Sequence, residues 1–261
     1  RLPELAGSAL RGVFGHALRQ LACMTKAKTC TACPLIEQCP YATVFEPHAK
    51  PSMRSKQQTA TNKFATTLQQ IPPPYVIEPP LNGAQTLAAG ETLSFNMVLI
   101  GAALPQLPLI IFAWQRAFAR GINKTRSTGD LLTVEILSAD ETASVIYSKD
   151  LTQVQTHATQ LSIPHHTTPQ DVHLHLTTPL RIEKEKAPLG PKDISAAALL
   201  RQLIRRVSLV MQFQCPDNSA WHIDKDTAKQ LNTLADKIKD ERRLRWQEWT
   251  RHSSRQQQTM T

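Results

Sequence analysis

Aromatic side chains make up only 5% of this 261-residue chain, and glycine occurs nine times. A core built from it must be mostly aliphatic. Neither a G-x-x-x-x-G-K-S/T loop nor a G-x-G-x-x-G turn is present, which excludes the P-loop and dinucleotide-binding classes. Long apolar runs are missing as well. The nearest approach, MVLIGAALPQLPLIIFAW at 97–114, is interrupted by Gly101, Pro105, Gln106 and Pro108, and reads as a strand turning into a helix. No signal-peptide pattern opens the sequence, so a cytoplasmic protein without a membrane partner is expected. No repeat of the solenoid kind is visible.

Negative charge is also scarce. Lysine and arginine total 30 against 21 acids, a formal net charge of +9. That excess suits a polyanion, nucleic acid first and an acidic membrane surface second. Hydrophobic content of 41% with 20% charged residues describes a globular chain.

Cysteine is present five times, and four of the five crowd into one segment as C-x6-C-x2-C-x5-C: Cys23, Cys30, Cys33 and Cys39. Such clustering points to one metal site and away from a disulfide framework. Four thiolates at these spacings suit a tetrahedral structural zinc; an iron–sulfur cluster is the alternative, and four reduced thiols without metal the third reading. Four protein ligands leave no position for a reactive water, so no catalytic metal is expected. Cys215 stands apart as a small buried hydrophobe.

Upstream of the cysteines, LAGSALRGVFGHALRQL predicts a helix over 5–21. Leu10, Val13, Phe14, Ala17, Leu18 and Leu21 form its apolar face, leaving Ser8, Gly12, Gly15, His16 and Arg19 on the other. The polar stretch 47–70 reads as a loop and PPPYVIEPP as a short extended segment. ETLSFNMVLIG (91–101) predicts a strand. A helix from Pro105 follows, with Leu107, Ile110, Ile111, Trp114 and Phe118 inward and Gly121 as its stop, and DLLTVEILS (130–138) gives another strand.

A second unit opens with an alternating strand at 171–183. It continues through a linker, KEKAPLGPKD, into a helix over 194–213. Leu200, Leu203, Ile204, Val207 and Val210 line that helix's core side, opposite Arg201 and Arg205. A basic helix over 226–256 is expected last, with Trp246 and Trp249 packed on one buried face. The order α-β-β-α-β lacks one leading strand of a ferredoxin-like βαββαβ unit. The predicted fold is α+β, tandem ferredoxin-like (RRM-like) domains at 1–155, including the cysteine insertion 23–39, and 165–261, with truncation expected at both ends.

Four segments in order resemble the CRISPR repeat-processing endoribonucleases of the RAMP superfamily: LAGSALRGVFGHALR with the cysteines and CPYATVFEP, then FNMVLIGAALPQLPLIIFAWQRAFARGINKTRSTGDLLTVEIL, then LTTPLRIEKE, then RWQEWTRHSSRQ. The family's C-terminal glycine-rich loop has no counterpart, and His252 stands where an aromatic is usual. The resemblance implies binding of CRISPR repeat RNA and metal-independent cleavage of precursor crRNA by 2′-OH attack. Its partners would be other CRISPR-associated proteins or fused reverse transcriptase–integrase domains. The alternative it leaves is a non-catalytic RNA-binding subunit of an effector or adaptation complex. A cysteine-metal DNA-binding protein is the reading from charge alone.

Cleaving RNA without a metal takes a base for the 2′-OH, an acid for the leaving 5′ oxygen and a cation for the phosphorane. Histidine performs either proton transfer near neutral pH. His16, flanked by Arg11 and Arg19 on a face that Gly12 and Gly15 would open to a phosphate backbone, is the candidate set; His165, His166 and His252 compete with His16. The competing account makes the glycines packing positions. Lys124, Arg126, Arg242, Arg243, Arg245, Arg251 and Arg255 are the candidate RNA contacts.

Overall fold

A computed structural model describes residues 2–48, 71–81, 83–122, 126–138, 140, 142–151, 153–157, 171–185, 187–248, 251–253 and 258–260. The chain divides into two compact units, Arg1–His48 with Pro73–His175, and Ala49–Pro72 with Leu176–Thr261. The predicted loop over 47–70 lies almost wholly outside the described residues.

In the first unit, α1 (Gly7–Ala22) and the short α2 (Pro40–Val44) precede a hairpin of β1 (Tyr75–Glu78) and β2 (Asn96–Leu99). A 3-10 turn at Gly101–Gln106 leads into α3 (Leu107–Arg120). A second antiparallel hairpin follows, β3 (Thr133–Leu137) with β4 (Ala143–Ser148). The helix predicted from Pro105 therefore starts two residues later. Pro105 sits inside the 3-10 turn and Pro108 takes the first helical turn, where its missing N–H costs nothing.

α1 is a helix because its apolar residues recur on one side, and that side is sealed: Leu10, Phe14 and Leu18 are 0–1% exposed. Phe14 stacks on Trp114 of α3 with centroids 4.9 Å apart, and Phe95 meets the same indole edge-on at 4.7 Å. The indole N–H donates to Met97 Sδ at 3.3 Å. Few aromatics are needed because these few converge on one point. A second, smaller cluster joins Ile111 of α3 to Ile146 and Tyr147 of β4.

α3 stops where the sequence predicts. Gly121 has φ +94, and a Cβ there would collide with the Arg126 backbone, so only glycine satisfies both conditions. β4 was not foreseen. It follows a turn closed by Asp140, whose carboxylate accepts from Ser138 Oγ at 2.6 Å and from the Thr142 N–H at 3.2 Å.

The second unit is built on α4 (Ala196–Gln214) and α5 (Lys225–Ala235), which pack together. Ser195 caps α4 by accepting from Ala198 N–H at 3.1 Å, and Asp224 caps α5 by accepting from Thr227 N–H at 2.6 Å. Two small hairpins complete the described part: β5 (Glu183–Lys184) with β6 (Ala187–Pro188), and β7 (Arg251–Ser253) with β8 (Gln258–Met260).

Three expectations for this unit fail. The helix over 226–256 ends at Ala235, because tertiary bonds take the following residues elsewhere. Asp236 pairs with Arg201, the Asp240 carboxylate accepts from the Ala196 N–H at 2.7 Å, and Arg242 donates to the Lys192 carbonyl at 2.7 Å. These contacts hold the chain along the start of α4, where a helix would carry it away. Of the strand over 171–183 only its last residue, Glu183, lies in a described strand, β5. Val172 and Leu174 are 67% and 66% exposed, and no described strand pairs with them. Leu203 and Val207, assigned to the core side of α4, lie exposed, while Val210 and Phe213 are buried.

The architecture is thus α+β, with two-stranded antiparallel sheets among the described residues. No described helix is long and apolar enough to cross a membrane.

Candidate functional site

α1 carries the candidate chemistry. His16 is exposed, its Nε2 2.9 Å from the Gln20 amide nitrogen one turn on. Gly12, one turn before it, has nothing within reach of a Cβ, so the helix surface there is open to a ligand. Gly15 is different. A Cβ on it would enter the ring of Phe45, which packs directly on the helix backbone. The expectation that both glycines clear a groove fails at Gly15: this glycine exists to seat Phe45.

The two flanking arginines are also placed by aromatics. Arg11 lies over the Phe45 ring at 4.6 Å, Phe45 stacks on Tyr41 at 5.4 Å, and Arg19 lies 5.8 Å from the Tyr41 ring. The order Arg11, Phe45, Tyr41, Arg19 forms a stack running beside α1, each cation resting on the negative face of a ring. Their edges do different work. Arg19 donates to the carbonyls of Ala27 and Lys28, the second at 3.2 Å, and so ties the cysteine loop to the helix. Arg11 makes no ion pair among the described residues.

Beside Arg11 lies a residue that the sequence reading missed. Tyr75 of β1 is 4% exposed, edge-on to Phe14 at 5.6 Å, and its hydroxyl has no hydrogen-bond partner of good geometry. Burial pushes its pKa up to about 12, with the Arg11 guanidinium pulling the other way. An orphaned buried hydroxyl costs about 1–3 kcal/mol. Only the YVIE strand pattern marked this position in the sequence, and it carries no hint of the hydroxyl's surroundings.

Cys23, Cys30, Cys33 and Cys39 border one cavity of about 120 Å³, together with Thr25, Thr29 and apolar side chains such as Ile36. The Thr25 hydroxyl is 3.5 Å from Cys33 Sγ and 4.0 Å from Cys23 Sγ. All four are free thiols. Burial pushes the Cys23 thiol up but is outweighed by the Lys26 backbone N–H, the Thr25 hydroxyl and Arg19, which hold it below its usual value. Burial raises Cys30, with Glu46 adding to it. Among the described residues no three His, Cys, Asp or Glu side chains are disposed to grip a metal ion as they stand. The donor set nonetheless fits a soft or borderline cation, since four sulfurs share one small cavity.

The candidate RNA contacts separate into three groups. Arg242 is spent on the Lys192 carbonyl and lies 3.4 Å from Asp240. Arg126, Arg243 and Arg245 are exposed and form no ion pair among the described residues. Lys124 and Arg255 lie outside the described residues, as do Trp249, His165 and His166, and the side chains of Arg251 and His252 are likewise not described. Trp246, expected to be buried on a helix face, is 56% exposed between Arg245 and Gln247 in a non-helical segment.

No curated protein and no solved structure matches the chain. A family model does, over residues 1–159: AF_1859_N, described as an N-terminal domain. That match takes in α1, the four cysteines, both hairpins of the first unit and α3 between them. The chain belongs to the AF_1859_N N-terminal domain family.

Proposed function

We propose that this protein is a metal-independent endoribonuclease that binds CRISPR repeat RNA and cuts precursor crRNA to guides. The observation that carries the reading is His16, exposed on α1 beside the open surface at Gly12, on the side of the helix opposite the sealed residues Phe14 and Leu18. Net charge of +9 and the four segments that resemble RAMP endoribonucleases support the same reading.

In this mechanism His16 takes or gives the proton at the scissile step, and the Arg11 guanidinium holds the charge of a phosphate next to the scissile one. Arg19 works one step back. Its N–H groups hold the Ala27 and Lys28 carbonyls, fixing the cysteine loop against the end of the helix that carries His16. Arg126, Arg243 and Arg245 contact backbone phosphates, and the exposed Trp246 indole stacks on an unpaired base.

Cys23, Cys30, Cys33 and Cys39 would hold zinc through their thiolates. A zinc ion there supplies cross-linking of the loop and no chemistry at the phosphate. An iron–sulfur cluster is the alternative occupant of the same four thiolates.

A non-catalytic RNA-binding role within an effector or reverse transcriptase–integrase assembly is the second reading, favoured by the exposed Trp246 and arginines, which serve binding with or without cleavage. Incubating the full chain with stem-loop RNAs and with duplex DNA across a salt series separates them. The first reading predicts tight, salt-sensitive RNA binding with cutting; binding without cutting assigns the second. Stronger binding to duplex DNA would overturn both.

A further inference from the structure

We propose that the Tyr75 hydroxyl and the Arg11 guanidinium form an oxyanion grip that holds a phosphate group of the bound ligand. It rests on the RNA reading only for the source of that phosphate. Three observations converge on the pair. The Tyr75 hydroxyl is buried and has no hydrogen-bond partner of good geometry, so its hydrogen is left without an acceptor. Arg11 is the charged group that acts on that hydroxyl. And the Arg11 guanidinium carbon lies over the Phe45 ring, 4.6 Å from its centroid, while the side chain forms no ion pair among the described residues.

An arginine stacked by its face donates from its edge, and a phosphate presents the paired oxygens that such an edge fits. An oxygen arriving there also meets the phenolic hydrogen. Even where a guanidinium N–H points at the phenol oxygen, it satisfies the acceptor side of the hydroxyl and leaves the donor side open. Phe14 and Phe45 pack against the Tyr75 ring at 5.6 Å and 6.3 Å and keep it from turning away, whereas Arg11 is an exposed side chain that can slide along its ring to admit the anion. The pair works as a positioning contact. Arg11 precedes His16 by five residues on the helix, about 7.5 Å along its axis and about 140° around it, so the gripped phosphate is a neighbour of the scissile one and not the phosphate that His16 serves.

The test is Tyr75→Phe in the full chain, read by melting temperature, by affinity for a stem-loop RNA, and by the thermal shift that inorganic phosphate produces. The expected result is a melting temperature at or above wild type, RNA binding weakened about five- to tenfold, and the phosphate-induced shift lost; Arg11→Gln weakens both ligands in the same way. A Tyr75→Phe protein that melts several degrees lower would overturn the proposal, because the hydroxyl would then have its partner within the fold. Unchanged binding of RNA and phosphate would overturn it too. A wild type that ignores RNA yet shows a phosphate shift that Tyr75→Phe loses leaves the grip standing with free phosphate as its ligand, and it is the RNA reading that falls. A wild type that responds to neither overturns both.

Discussion

α1 and α4 carry the same amphipathic period and meet different fates. On α1 the apolar stripe of Leu10, Phe14 and Leu18 is sealed by Trp114, Tyr75 and the α2 residues. On α4, Leu203 and Val207 sit one turn apart with 48% and 43% of their surface exposed. Their arginines differ in step: Arg11 and Arg19 rest on rings, while Arg201 reaches across to Asp236. Periodicity says which face of a helix turns inward. It does not say whether anything covers that face, and that depends on large side chains elsewhere converging on the stripe.

The comparison is sharpest in stability. Phe14→Ala, which removes a fully buried ring stacked on Trp114, should destabilise by about 3–5 kcal/mol, whereas Leu203→Ala should change stability by about 0.5 kcal/mol or less. Urea unfolding of both variants checks this, and a large loss at Leu203 would mean that α4 is covered in solution.

Next in size are the glycines of α1. Gly15→Ala forces a methyl group into Phe45 and should cost about 1–3 kcal/mol, while Gly12→Ala meets only solvent and should gain up to about 1 kcal/mol of helix propensity. Placing Gly15→Ala in a Phe45→Ala background should reverse its sign. If the two alanines behave alike, the contrast between a packing glycine and an open one is wrong.

The smallest effect is expected at the exposed arginines of the second unit. Arg243→Ala and Arg245→Ala should leave the melting temperature unchanged and weaken RNA binding evenly across sequences. Each should reduce the slope of log affinity against log salt by about one. Arg242→Ala should instead lower stability, since its guanidinium holds the Lys192 carbonyl.

How far the molecule was legible follows from the same contrast. α1, α3 and the stop at Gly121 were readable because one strong pattern, or one backbone requirement, decides each of them. The strand expected over 171–183 was not, because alternation marks a segment able to pair and cannot supply its partner. The helix expected through 256 was lost to bonds from Asp236, Asp240 and Arg242 to residues 35 to 50 positions away, which no local period encodes.

The candidate site divides likewise. His16 and the four cysteines were visible as residue types in a spacing. Gly15 was misread as clearance because Phe45, its partner, lies thirty positions on in a segment whose docking the sequence does not reveal. Tyr75 was missed for a related reason: an orphaned hydroxyl is a property of surroundings, and YVIE reads only as strand.

The central claim is that side chains on α1 break RNA without a metal, and the mass of the RNA fragment produced in EDTA tests it most directly. Wild-type protein should cut a stem-loop repeat RNA at one position and leave a 2′,3′-cyclic phosphate, and His16→Ala should bind the same RNA at near wild-type affinity yet leave it whole. An intact RNA after incubation with wild type, or equal cutting by His16→Ala, would contradict the account.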